Sequence, residues 1–464
     1  MIKILTNQKL FLLRIILITA MLIVCNYLQE NSTLLFKHII SSFIILYMIY
    51  NLFLKNYTSN IYITLFYFCF FSLYPRVLYD DSFNFINYFA GFYKLIIVTL
   101  FICSIGKINF NNNRYIYYLF SLQIFSLIVG LVLFQNYRYF IYDFQYLYII
   151  YSPFLILLVD EKRLRIFDLD GLLSFLNVFS ISFVFYNLYL FFVVGIQIDL
   201  NGSLFITFGP INLFIFIVLF YFSLVKKGYV KILTIISLLL FIPIKALSIN
   251  TQELLIICLL FLFYFYYKKK IYANIFILFF LATILSIDTS IKTGNLWLDL
   301  KLNQLLSINP FSTENVLSNS LHIRLLEFQL ITEQILTNLN VFVGKGLGGI
   351  IYNSNYLLFD ADLNVSTYVE EQIKSGEIHN LHESIFKYLL TYGLLGLILV
   401  ISIYKYFYSF LKYLTNQRDK LFYFSLIIMS FYFYGWSYRF VFIINFIMVV
   451  FISYLKKNKS LNYG

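Results

Sequence analysis

Two side chains in one 95-residue polar interval have the chemistry of a phosphate ligand and of a general base. Arg324 is the only arginine between positions 288 and 382. Its planar guanidinium presents a fork of N–H donors that matches two oxygens of a phosphate. The competing reading is an i,i+3 pair with Glu327 on an exposed helix face, worth about 0.2–0.5 kcal/mol. His382 stands where the interval meets an apolar run. An imidazole titrates near neutral pH and can take a proton from an attacking hydroxyl; the competing reading is an interfacial polar residue. His379 lies three positions earlier and shares a face with His382 if a helix starts there. Two histidines alone do not make a metal site, and no metal is expected.

These residues must be positioned by a chain that is 61% hydrophobic and 12% charged, with mean hydropathy +0.82. A spanning helix needs about 20 apolar residues, and runs of that size recur throughout. The expectation is an all-α polytopic membrane protein with about fourteen spans (about 12–14) and one long, partly helical outer loop. The runs lie near 10–28, 34–54, 61–79, 88–106, 115–134, 141–159, 171–195, 203–225, 229–247, 252–267, 271–287, 384–404, 419–436 and 440–455. The first run carries no small-residue cleavage site and is read as an uncleaved span. With the N-terminus inside, 21 of the 34 Lys and Arg residues fall in inner segments such as Lys162–Arg165 and Lys268–Lys270. That is the positive-inside bias, with both termini cytoplasmic. The net charge of +12 therefore flanks a membrane, and nucleic acid is not an expected partner. The cysteines Cys25, Cys69, Cys103 and Cys258 sit in apolar runs without ligand or disulfide spacing.

The topology divides the chain into an N-terminal bundle, 1–287, an extracytoplasmic loop, 288–382, and C-terminal spans with a cytoplasmic tail, 383–464. The loop holds ten acids against five bases, and loops of that length are usually functional. Leu321, Leu325, Phe328, Ile331, Ile335 and Leu339 have helical spacing from about 320 to 339, with Ser318, Asn319 or Ser320 as N-cap. The glycines of Gly344-Lys-Gly-Leu-Gly-Gly349 end that helix. They are not a phosphate-binding P-loop, because no strand precedes them and no Lys-Ser/Thr closes them. Asp360-Ala-Asp362 has the spacing of a metal-binding carboxylate pair, but solvated loop carboxylates are the plainer reading. Asp80-Asp81 occupies a short outer loop.

Three stretches resemble the O-antigen polymerase and O-antigen ligase superfamily. They are the long outer loop before a few last spans; Arg324-Leu-Leu-Glu-Phe followed by Gly344-Lys-Gly-Leu-Gly348; and the His382-led run with Gly393 and Gly396 eleven and fourteen residues on. Phe208-Gly-Pro-Ile-Asn212 fits more loosely. The resemblance covers about 90 residues and implies a metal-independent glycosyltransferase without cofactor, in a bacterial inner membrane. It implies donor and acceptor oligosaccharides on undecaprenyl diphosphate, membrane lipid around them and a chain-length regulator protein as partner. Arg324 would hold the diphosphate, His382 would act as base, and His379 and Lys345 would contact substrate. Where the family carries further arginines this chain reads Thr251-Gln252 and Asp199-Leu-Asn-Gly202. Lys245, Arg76 and Arg439 are the cations available in their place. The departure tilts the expectation toward a polymerase of repeat units. The alternatives are a ligase moving finished glycan to lipid A core, a flippase for the same lipid-linked sugars, and a lipid-phosphate-sugar glycosyltransferase using Asp80 and Asp81.

Overall fold

In the computed structural model the described residues are 2–31, 35–71, 85–110, 113–133, 136–159, 168–190, 192, 197–198, 204–205, 209–248, 256–257, 260–263, 319–336, 340–353, 375–379, 381, 384–434 and 438–461. Among the described residues, the helices before the polar interval include α1 (Ile2–Asn31), α2 (Leu35–Phe53), α3 (Tyr57–Phe71), α4 (Phe85–Ile105), α5 (Arg114–Leu133), α6 (Tyr137–Tyr151), α7 (Leu169–Tyr189), α8 (Gly209–Val225) and α9 (Gly228–Ser248). α6 runs on as a 3-10 helix through Leu158. Within the interval are α10 (Asn319–Ile331), extended by a π turn at Thr332–Leu336, and the single turn α11 (Asn340–Val343). The chain closes with α12 (Ser384–Ser409), α13 (Gln417–Tyr432) and α14 (Tyr438–Leu461).

Short polar residues start several of these helices. Asn113, Asn136, Asp168 and Asn416 each offer a side-chain oxygen to a backbone N–H of the first turn. Such caps satisfy donors that have no partner inside the helix.

The protein is an all-α membrane protein. Four helical stretches among the described residues are long and apolar enough to cross a membrane: Arg114–Leu133, Tyr137–Leu158, Leu169–Tyr189 and Ser384–Tyr413. Shorter apolar stretches lie in α2, α4, α8, α9 and α14. The runs expected at 252–267 and 271–287 fall outside the described residues, apart from 256–257 and 260–263. α14 is apolar on every side, and from Phe440 to Ile452 its hydrophobic side chains are all buried. A helix of that pattern belongs in the middle of a bundle, and α3, α6, α7 and α13 pack around it. Outward-facing Phe43, Leu46, Ile128, Val132 and Leu395 stay exposed, as a lipid-facing surface requires.

The polar interval is tied to this bundle through a second, smaller core. Leu330, Ile331, Ile335, Ile351, Ile378 and Leu381 pack with Leu389 and Leu390 of α12. Two details depart from expectation. The helix predicted from 320 to 339 is regular only over α10 and then widens into the π turn. Its Leu325 and Phe328 stand half exposed, while Glu327, Leu330 and Ile331 are buried. The described residues also include two antiparallel ladders of two residues each, β1 (Gln197–Ile198) with β2 (Leu204–Phe205) and β3 (Ile351–Tyr352) with β4 (Glu377–Ile378). The second ladder pairs backbone groups that would otherwise be buried without partners, and it brings the two ends of segment 353–376 together.

Candidate functional site

Every buried Asp, Glu, Lys, Arg or His among the described residues lies where the polar interval meets the bundle. The five are Asp143 on α6, Glu327 on α10, Lys345 in the glycine turn, His379 after β4, and Lys387 on α12. Ionisable groups at such depth are costly and mark functional places.

The seat for this cluster is made by glycine. α12 is interrupted at Gly393, whose φ of +65° and ψ of −170° are non-helical. The break frees carbonyls that an unbroken helix would use. The Leu390 carbonyl accepts the Lys345 N–H at 2.7 Å, and the Thr391 carbonyl accepts the Ser126 hydroxyl at 3.4 Å. The turn 344–349 drops into the space between α5, α6 and α12. There the Leu347 N–H bonds the Ser126 carbonyl at 3.2 Å, and the Gly348 N–H bonds Asp143 Oδ2 at 2.8 Å. Gly346, at φ +74°, lies so close to α5 that an added Cβ would sit 2.2 Å from the Gly130 nitrogen. Only a residue without Cβ fits both that conformation and that gap.

At the floor of the seat, Lys387 Nζ lies 3.2 Å from Asp143 Oδ1, 2.8 Å from His379 Nε2 and 3.4 Å from the His379 carbonyl. His379 Nε2 is also 3.1 Å from Asp143 Oδ2. The three side chains are 5%, 1% and 7% exposed for Asp143, His379 and Lys387. The His379 ring stacks on Tyr139 at 4.4 Å between centroids, with 4° between planes, and meets Tyr142 edge-on at 5.9 Å. One turn of α12 earlier, the Ser384 hydroxyl bonds the carbonyls of Tyr432 and Tyr434. Asn136 both caps α6 and bonds Glu377 Oε2 at 3.0 Å. β4 and the start of α12 are thus held from several sides.

The predicted residues divide. Lys345 spends its ammonium on the Ile350 carbonyl at 2.6 Å, over the Tyr352 ring, and burial pushes its pKa below the ordinary lysine value. His379 is internal, in contact with Asp143 and Lys387, and does not face solvent. Arg324 is partly exposed on α10. Its helix packs on α12, with Phe328 and Phe386 rings 6.0 Å apart. Glu327 is fully buried, so it does not lie on the exposed face of α10 that carries Leu325 and Phe328. Lys245 lies on the last turn of α9 and Arg439 on the first turn of α14. His382, Arg76, Asp80, Asp81, Asp360 and Asp362 lie outside the described residues, as do Thr251, Gln252 and 199–202.

Sequence reasoning missed Asp143 and Lys387. The signal was present, since each is an isolated charge inside an apolar run, which lipid tolerates only when it faces the protein interior. Among the described residues no three of His, Cys, Asp and Glu come close enough to hold a metal ion.

What the arrangement does chemically is hold. It fixes the arginine-bearing helix, the glycine turn and the chain entering α12 against one end of the bundle. Comparison of the chain with protein-family models, with curated proteins and with solved structures returns no match, so the resemblance rests on the three motif stretches themselves.

Proposed function

We propose that this protein polymerises surface polysaccharide, O-antigen or capsule, by glycosyl transfer at the outer face of a bacterial inner membrane. In this reading about fourteen spans cross the membrane and both termini are cytoplasmic. The donor is a glycan on a polyprenyl diphosphate, and the acceptor is the next lipid-linked repeat unit. The bond between the donor's anomeric carbon and the diphosphate oxygen breaks as the acceptor hydroxyl attacks. Arg324 binds the diphosphate through its fork and offsets the charge that develops on the leaving group. His382 accepts the hydroxyl proton. Lys345 and His379 support the site from beneath.

One observation carries the reading: the described parts of the motif stretches, separated in sequence, meet at one end of the bundle. α10 with Arg324 rests on α12, the glycine turn seats against the Gly393 kink, and Leu381 and Ser384, the described residues flanking His382, are both buried. A lipid substrate suits a site at the rim of a membrane bundle. The test is gene deletion with complementation, reading surface glycan on a gel. A polymerase leaves single repeats on the final acceptor in the deletion, and His382→Gln does not restore the ladder because an amide cannot take the proton. Long chains retained on lipid with no surface glycan would make the protein a ligase. Accumulation on the inner leaflet would make it a flippase. A normal ladder with His382→Gln would remove the base.

A further inference from the structure

The contact between His379 and Lys387 constrains where protons sit. Nε2 and Nζ are 2.8 Å apart, a distance that requires one donor and one acceptor. Lysine ammonium has three donors and no acceptor, and imidazolium has two donors and no acceptor. At least one of the two groups is therefore uncharged, so together they carry at most a single positive charge, the number that balances the Asp143 carboxylate lying 3.1 Å from the same Nε2. The cluster is neutral as a whole, which is the condition for its burial. A further proton would set N–H against N–H and leave a net positive charge in a closed space. The other groups around His379 do not absorb that charge. Tyr139 and Tyr142 of α6 present ring faces and edges. Glu377 of β4 bonds Asn136. Lys345 of the glycine turn is itself a cation, engaged with Ile350. Asp143 is already the acceptor of Gly348 and Lys387.

We infer that Asp143, His379 and Lys387 form a proton-sensitive clasp that holds the polar interval on the bundle, with Asp143 and Lys387 as positioning residues for the chain entering α12. The clasp joins three separate pieces of chain. Asp143 bonds the glycine turn, Lys387 bonds the carbonyl of His379, and His379 directly follows β4. Protonation releases all three together. Its effect on catalysis rests on the proposed glycosyl transfer; the clasp itself does not.

The test uses the full-length protein in membranes, with its native cysteines replaced and Ile351→Cys introduced. Ile351 is fully buried in β3, paired with Ile378 beside His379. The readout is the rate of reaction with a membrane-impermeant maleimide, corrected for the reagent's own pH dependence with an exposed cysteine. One-proton linkage changes the open fraction by at most about tenfold per pH unit. Going from about pH 7.5 to about pH 5.5, either side of the histidine reference value, labelling should rise severalfold, up to a ceiling of about tenfold. His379→Gln should flatten the profile. Lys387→Met should invert it, because an imidazolium then meets only the Asp143 carboxylate and acid tightens the seat. A residue that merely fills space would not reverse that sign. A flat profile in the parent, or the same acid rise in His379→Gln, overturns the clasp. Glycan ladder length, measured alongside, reads the other proposal separately. A pH-dependent seat in a protein that makes no polymer keeps the clasp and discards the polymerase.

Discussion

Replacing Gly346 by alanine tests whether the seating of the glycine turn depends on backbone approach. At φ +74° a Cβ costs about 1–2 kcal/mol from left-handed strain alone. The new carbon would also meet the Gly130 nitrogen at 2.2 Å, its Cα at 2.7 Å and the Ser126 carbonyl oxygen at 2.8 Å. These are helix backbone atoms, which cannot swing aside as a side-chain tip can, and overpacking of this kind adds about 1–3 kcal/mol. The sum, about 2–5 kcal/mol, corresponds to a roughly thirty- to four-thousand-fold rise in the open fraction of the seat. Lifting the turn would relieve the clash, but it gives up the Leu347 to Ser126 and Gly348 to Asp143 hydrogen bonds and exposes Leu347. The control is Gly228→Ala between α8 and α9, where φ is +61° and nothing lies within 4 Å of an added Cβ. That variant carries the strain without the collision. Maleimide labelling of Ile351→Cys should accelerate strongly with Gly346→Ala and stay at the parental rate with Gly228→Ala. Labelling of the Gly346→Ala protein within about twofold of the parent would refute the reasoning, since even the lower bound of the cost exceeds that.

Arg324→Lys should lose nearly as much polymer as Arg324→Ala at matched membrane abundance, because a point charge lacks the bidentate fork; full activity in the lysine variant would return Arg324 to a generic surface charge. The depressed pKa of Lys345 makes the folded protein bind fewer protons than the unfolded chain between that value and 10.5. Stability should therefore rise with pH through that window, and Lys345→Met should remove that part of the slope in thermal unfolding followed across alkaline pH. Reporter fusions at Lys227 and Asn416 should read cytoplasmic and one at Asn353 external; a cytoplasmic signal at Asn353 would place the glycine turn on the wrong side of the membrane for a lipid-diphosphate donor.

The sequence by itself determined the all-α membrane character of the described part, because lipid and a fixed backbone geometry leave an apolar run of about 20 residues few alternatives. The polar interval, its arginine-bearing helix and the glycines after it were likewise legible, since composition and spacing are local properties. The caps at Asn113, Asn136, Asp168 and Asn416 emerge only from the structure, where each side-chain oxygen accepts a first-turn N–H. Tertiary structure decided what those pieces do to one another. No local rule relates Asp143 to a histidine 236 positions later and a lysine 244 positions later, yet the low polarity of the bundle makes each of the three untenable without the others. The same holds for Gly346 and Gly393, which read as a turn and a helix interior but, like Gly130, Gly344 and Gly348, are points where backbones approach too closely for a side chain. His379, read from sequence as a substrate contact, turns inward for the same reason: the buried Lys387 ammonium and Asp143 carboxylate need a third polar group, and the imidazole supplies it.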